Sequence, residues 1–414
     1  MARRLKVASI FSNLIIGGDQ NRLLSYLAAR DPERFDHIVI GGMRASEEIE
    51  DLCGPIWDRF AALGVETVDL GMTTRYLRWE NASRLTRAGD KVKTLGQLIQ
   101  RTARILRERQ IDIVDGRCDM GTVMATVAGR LAGVRAIVST NYCPQHAGFR
   151  TPVWSLIGRG VYSRVDAIVS DSDACLEAMR EWMISPPPGY CIPNGIEPAR
   201  PARPPAEVAA QIGIPAGAKV VGQIARIQPY KGQDMLLRAA PLVLAEEPNA
   251  FFLVSGYPGY TKEALAYLER LHALVAGHGI GDRVRIISYP GEVGDLWSLI
   301  DVHAHPTKLD SSPIALLEGM SVGKPCVTTR IGGIHELVLD GETGIILDPE
   351  NRDPALLASA LLRLLKDPAE AARLGRNARR RYELGYTPKV MAERIDDMFD
   401  EVHTAPYRRR RRAA

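Results

Sequence analysis

The sequence predicts two α/β domains, each a doubly wound parallel sheet with helices on both faces. Short Val- and Ile-rich runs alternate with amphipathic helical patterns along the chain. Those runs are almost continuously apolar, as strands buried on both faces are. They also fall into two sets, on either side of a Pro-rich stretch at residues 192–208. At 414 residues the chain is long enough to bury two cores.

Strands of the first set are predicted at residues 5–11, 37–42, 111–116, 136–140 and 167–171, with helical patterns at 21–30 and 95–110 between them. Gly17-Gly18 stands between the first strand and its helix. A tight turn explains it, and so does a loop that faces a ligand, since a doubly wound sheet binds at its strand ends. Residues 71–93 carry Arg75, Arg78, Arg84, Arg87, Lys91 and Lys93 against Glu80 and Asp90, with Tyr76 and Trp79 interleaved. This basic, aromatic segment is predicted as a surface loop and helix, and it points to an anionic or membrane-surface partner. Asp171-Ser172-Asp173 looks like a metal-binding DxD, but it opens the helical pattern 174–183, where capping explains it better.

The domains are expected at 1–198 and 217–386, facing a central cleft and joined by a Pro-rich linker at 199–216. A last helix is expected at 387–405, crossing back to the first domain, before a basic tail at 406–414. The second set of strands is predicted at 219–225, 250–256, 283–288, 302–306, 325–329 and 343–347. After the first of these, Arg226 and Lys231 flank a short loop, and Gly232 leads into a helix begun at Gln233 or Asp234. Two cations and a helix start at one strand end suit a diphosphate. Asp310 precedes a further helix that contains Glu318. There Ser312 is expected to cap and Pro313 to occupy the first helical position, leaving unpaired N–H groups such as that of Ile314 outward. Gly332-Gly333 precede another short helix and permit close backbone approach. His303 and His305 share a strand without a third ligand at metal-site spacing, so they are expected as strand-end histidines.

Formal net charge is +4, but Arg408 to Arg412 lie in the tail, and the rest of the chain is close to neutral. Nucleic acid is therefore not an expected partner. Six scattered cysteines without CxxC spacing fit reduced thiols. The start shows no signal-peptide pattern, and no apolar run reaches the roughly 18 residues that span a bilayer. A cytoplasmic protein, at most peripheral at the inner face of the membrane, is the expectation. No GxGxxG follows a strand, which argues against a nicotinamide enzyme.

Together, Gly17-Gly18, Arg226 with Lys231-Gly232, IPNGI at 192–196, and the carboxylate-x7-Glu at 310–318 followed by GKP and GGIHELV resemble the GT-B glycosyltransferases of retaining family 4. The resemblance covers nearly the whole chain. It implies two Rossmann-like domains and a nucleotide-diphosphate sugar as co-substrate, with no metal and no other cofactor. Arg226 and Lys231 would neutralise the diphosphate, and Glu318 would hold the ribose hydroxyls. Asp310, where the family usually has Glu, would face the transferred sugar. Amides around Ser312, Pro313 and Ile314, with the loops at Gly18 and Gly332-Gly333, would complete the donor cradle. Retention by front-face attack is implied, the diphosphate taking the acceptor's proton. The family often has a His after the strand at 136–140; this chain has Asn141-Tyr142 there, His146 four residues on, and Arg117 at a second usual His position. These four are the acceptor-side candidates. The acceptor is expected to be a glycan, a lipid-linked unit or a small molecule of cell-surface biosynthesis. Two alternatives stay open: a degenerate relative that binds a sugar nucleotide without turnover, and a sugar-nucleotide epimerase of the same fold.

Overall fold

The structure is a computed structural model that describes residues 3–12, 17–43, 56–72, 84–142, 152–258 and 262–405. His146, residues 73–83 of the basic 71–93 segment and the Arg tail fall outside what it describes. The chain forms two compact units: residues 1–195 with 388–414, and residues 196–387.

The first unit holds a seven-stranded sheet in the order β3-β2-β1-β4-β5-β6-β7, with every neighbour parallel. Its strands are β1 Leu5–Phe11, β2 Phe35–Met43, β3 Glu66–Met72, β4 Ile113–Arg117, β5 Ala136–Thr140, β6 Ala167–Ser170 and β7 Gly189–Cys191. Successive residues of β1 feed different cores. Val7 and Phe11 pack with the helices Gly18–Ala29 and Pro388–Thr404, while Ala8 and Ile10 pack with Arg84–Glu108 and Cys118–Ala132. This two-sided burial is why the strands lack polar alternation.

The second unit holds a six-stranded parallel sheet in the order β10-β9-β8-β11-β12-β13. Its strands are β8 Lys219–Ile224, β9 Ala250–Ser255, β10 Val284–Ile287, β11 Val302–His305, β12 Cys326–Thr329 and β13 Ile345–Leu347. Phe252 and Val254 of β9 enter one core and Phe251 and Leu253 the other. Each such buried side chain contributes about 1.5–3 kcal/mol.

Residues 199–216, expected as a linker, carry the helix Pro205–Ile212 and lie within the second unit. The backbone N–H groups of Ala202 and Arg203 donate to Asp295 Oδ1 at 2.7 and 3.0 Å, and that of Ala199 donates to Ser321 Oγ at 3.1 Å. Proline supplied stiffness there, but these anchors and the buried Val208 fix the path. Ser172 accepts from the Cys175 N–H at 3.2 Å, so the DSD triplet caps its helix. The four described cysteines are free thiols. Among the described residues no helix is long and apolar enough to cross a membrane.

Candidate functional site

In the second sheet the strand order reverses between β8 and β11. The loops leaving the carboxyl ends of those two strands therefore diverge, and a doubly wound sheet binds ligands at such a point. The β8 loop carries Arg226 and Lys231, and the β11 loop carries Asp310.

Chain geometry explains how the β8 loop is shaped. Pro229–Lys231 forms one 3₁₀ turn, and Gly232 (φ +73°) then redirects the chain into the helix Gln233–Glu246. A Cβ at Gly232 would stand 2.0 Å from the Pro306 carbonyl oxygen, so only glycine allows the two loops to touch. Gln223 on β8 donates to the Lys231 carbonyl at 2.8 Å, and the Lys308 N–H donates to the Tyr230 carbonyl at 2.6 Å. Arg226 is exposed, with Nη2 donating to the Tyr230 hydroxyl at 3.0 Å.

Lys231 does not stand free. Its Nζ lies 2.5 Å from Asp310 Oδ2, and His305 Nε2 lies 3.0 Å from the same oxygen. Burial pushes the Asp310 carboxyl up, but the His305 hydrogen bond and the Lys231 ammonium outweigh it and hold its pKa below the ordinary value. His305 is lowered, by burial first, with the Asp310 bond opposing. Sequence reasoning expected a plain strand-end histidine there; the structure makes His305 a partner of the site. Its signal was available, since HAHPTKLD puts an imidazole at the strand end five residues before the carboxylate.

Glu318 lies in the helix Ile314–Ser321 and accepts a hydrogen bond from Trp297 Nε1 at 3.1 Å. Burial of the carboxyl raises its pKa to about 7, against the opposing effect of that bond. Trp297 was missed by the sequence reading because the pairing spans 21 residues and two helices. The expected cap is corrected. Pro313 is extended (φ −66°, ψ 125°) and stands at the cap position itself, so Ile314 is the first helical residue and no side chain caps it. Ser312 lies one residue further out, where the following proline disfavours helical backbone.

The glycine pair behaves differently from expectation. Gly332 has φ +51°, and a Cβ there would lie 2.0 Å from the Asp310 carbonyl oxygen. Its close approach is thus to the chain's own Asp310 backbone. Gly333 sits at the cap of Ile334–Leu337.

In the first unit, Gly17 caps the helix Gly18–Ala29, and its carbonyl accepts from the Asn21 N–H at 3.0 Å. Arg117 ends β4 and Asn141 directly follows β5, both among buried polar groups. Arg117 pairs with Asp19 and with Asp115 at 3.0 Å, and it donates to the Tyr142 hydroxyl at 3.0 Å. Asn141 uses both amide hydrogens on Asp119 (2.8 Å) and the Tyr162 hydroxyl (2.7 Å). These two acceptor-side candidates are therefore internal struts, whereas Tyr142 is half-buried.

Residues 206–381 match the family described as glycosyl transferases group 1, and residues 22–195 match the glycosyl transferase 4-like domain. D-inositol 3-phosphate glycosyltransferases are similar in sequence. That of Corynebacterium efficiens is 30% identical over 199 residues, 47% of this chain and 46% of that protein. That of Thermobispora bispora is 32% identical over 211 residues, 49% of each. The chain thus spans about half the length of the curated relatives it matches. Among solved structures, Anabaena HepE in complex with UDP and glucose has a TM-score of 0.77 at 18% identity, covering 96% of this chain and all of that one. The sucrose-phosphate synthase of Thermosynechococcus elongatus has a TM-score of 0.74 at 18% identity, covering 97% and 100%. These likenesses establish the two-domain GT-B fold.

Proposed function

Because the chain belongs to the GT-B glycosyltransferases of group 1, family 4, we propose that it moves a sugar from a nucleoside diphosphate to an acceptor hydroxyl. The observation that carries this reading is the ion pair of Lys231 with Asp310 at the reversal point of the second sheet, with Arg226 on the same β8 loop. Breaking a glycosyl–phosphate bond builds positive charge at the anomeric carbon and negative charge on the departing diphosphate. Fixed cations aimed at that diphosphate act most strongly in the transition state. Each charge-assisted bond contributes about 1.5–3 kcal/mol net. Arg226 and Lys231 supply the neutralisation that a metal would otherwise give, so a metal-independent reaction is part of the proposal. Glu318 holds the ribose hydroxyls, and Asp310 faces the transferred sugar.

Retention of anomeric configuration is proposed with it. The acceptor oxygen bonds to the anomeric carbon on the face from which the diphosphate leaves, and the acceptor proton passes to a diphosphate oxygen. UDP and UDP-glucose bound to HepE make uridine donors the first to test. The inositol phosphate enzymes make a phosphorylated cyclitol a natural member of an acceptor panel, beside glycan and lipid-linked acceptors. Incubation with donors carrying labelled sugars tests the reading. Label in an acceptor product, with the α-anomer of an α-donor kept by NMR, is the expected result. Binding without any transfer or hydrolysis points to a degenerate relative, and a changed sugar points to an epimerase.

A further inference from the structure

We propose that His305 is a positioning residue that clamps the Asp310 carboxylate in place for the donor sugar. The inference rests on the reading of Asp310 and Lys231 as donor-site residues. Three observations carry it.

The first is the division of labour on the carboxylate. His305 Nε2 at 3.0 Å and Lys231 Nζ at 2.5 Å both engage Oδ2. Among the described residues no hydrogen bond is made to Oδ1. One oxygen is held from behind by the protein, and the other is left to accept from a ligand hydroxyl. A carboxylate only accepts, so His305 must carry its proton on Nε2 and donate.

The second is that His305 is a poor choice for stability. It ends β11 in a fully buried position, its ring 5.5 Å from that of His303, and its Nδ1 is buried without a hydrogen-bond partner. A buried unpaired polar atom is destabilising by about 1–3 kcal/mol, and an aliphatic side chain in that position would avoid it. Among the described residues, the one hydrogen bond the imidazole makes is to Asp310.

The third is that the surrounding backbone leaves the carboxylate little other support. Asp310 lies in an irregular loop between β11 and the helix Ile314–Ser321, with its own carbonyl against Gly332. Its short side chain keeps the carboxylate within reach of the strand end, so orientation comes from the two groups that hold Oδ2. Misplacing a reacting-site group by about 1 Å lowers rates by as much as 100-fold.

The test compares His305→Leu, which fills the volume without a donor, with His305→Gln, whose Nε2 can still donate to Asp310. For each variant of the full chain, the melting temperature, the affinity for UDP alone, and kcat for sugar transfer are measured. His305→Leu is expected to stay folded, as its melting transition shows, and to bind UDP within about threefold of the parent. Its kcat should fall about 10- to 100-fold, and His305→Gln should recover most of that loss. A His305→Leu variant with parental kcat, or Leu and Gln variants impaired equally, overturns the inference while leaving the activity intact. A parent chain that transfers sugar from no donor overturns the activity reading, and this inference with it.

Discussion

Glu318 shows how a single side chain can set function against stability. Its pKa is raised to about 7 by burial, above the 4.5 of a free glutamate. The folded chain therefore holds this proton over a range where the unfolded chain has lost it. Between about pH 4.5 and 7 the folded state binds more protons, so this group makes stability fall as pH rises, and the loss levels off above pH 7. The full penalty is roughly 3 kcal/mol at most. Glu318→Gln keeps an acceptor for the Trp297 N–H and removes the titration. The variant should be more stable than the parent at pH 8 by up to about 3 kcal/mol and nearly equal to it at pH 4.5, as read from denaturant unfolding. It should also lose sugar transfer, because a neutral amide holds the ribose diol weakly. Equal pH dependence in the two proteins would show that the carboxyl is not desolvated.

At the scale of elements, the strand ends were legible in the sequence and the pairings between them were not. Apolar runs marked eleven of the strands because burial on both faces leaves a continuous signal. β3, with Glu66 and Asp69 at the sheet edge, and β7, only three residues long, gave no such run. The loops after β8 and β11 showed their charges, but the ion pair of Lys231 with Asp310 joins residues far apart in the chain. That pairing follows from sheet order, which local pattern does not encode. Nor did the sequence show that Arg117 and Asn141 face one another's neighbours inside a buried network. The glycine turn was visible, while its contact was not: Gly332 receives the Asp310 carbonyl. Gly332→Ala and Gly341→Ala separate the two reasons for a glycine. Both have positive φ, but a Cβ at Gly341 meets open space. Gly341→Ala should lower stability by about 1 kcal/mol with activity kept. Gly332→Ala should lower it by about 2–4 kcal/mol and displace Asp310, with sugar transfer falling steeply. Equal losses in stability and activity for the two variants would remove the close contact as a cause.

At the scale of the molecule, the chain builds its first unit from both ends. The helix Pro388–Thr404 closes that unit, burying Met391, Ile395, Met398, Phe399 and Val402 in one core with Leu23, Tyr26 and Phe35. Phe399 lies 5.9 Å from the Phe35 ring and 6.3 Å from Tyr26, tilted and edge-on, as aromatic quadrupoles favour. The Tyr26 hydroxyl donates to Asp396 Oδ1 at 2.8 Å, and the Asp31 N–H donates to Oδ2 at 3.1 Å, so both oxygens of this carboxylate are paired. A unit assembled this way depends on segments far apart in the sequence. Loop-closure entropy grows only slowly with the length between the two ends, so the long intervening chain adds little to the cost. Phe399→Ala should then destabilise the first unit by about 3–5 kcal/mol, the range for deleting a large aromatic from a core. Amide hydrogen exchange resolves where that loss falls. Faster exchange is expected in β1 and β2, with β8, β9 and β11 unchanged and still gaining protection from added UDP. A uniform loss across all five strands would mean that the two units unfold as one, and the closing helix would then stabilise the whole chain.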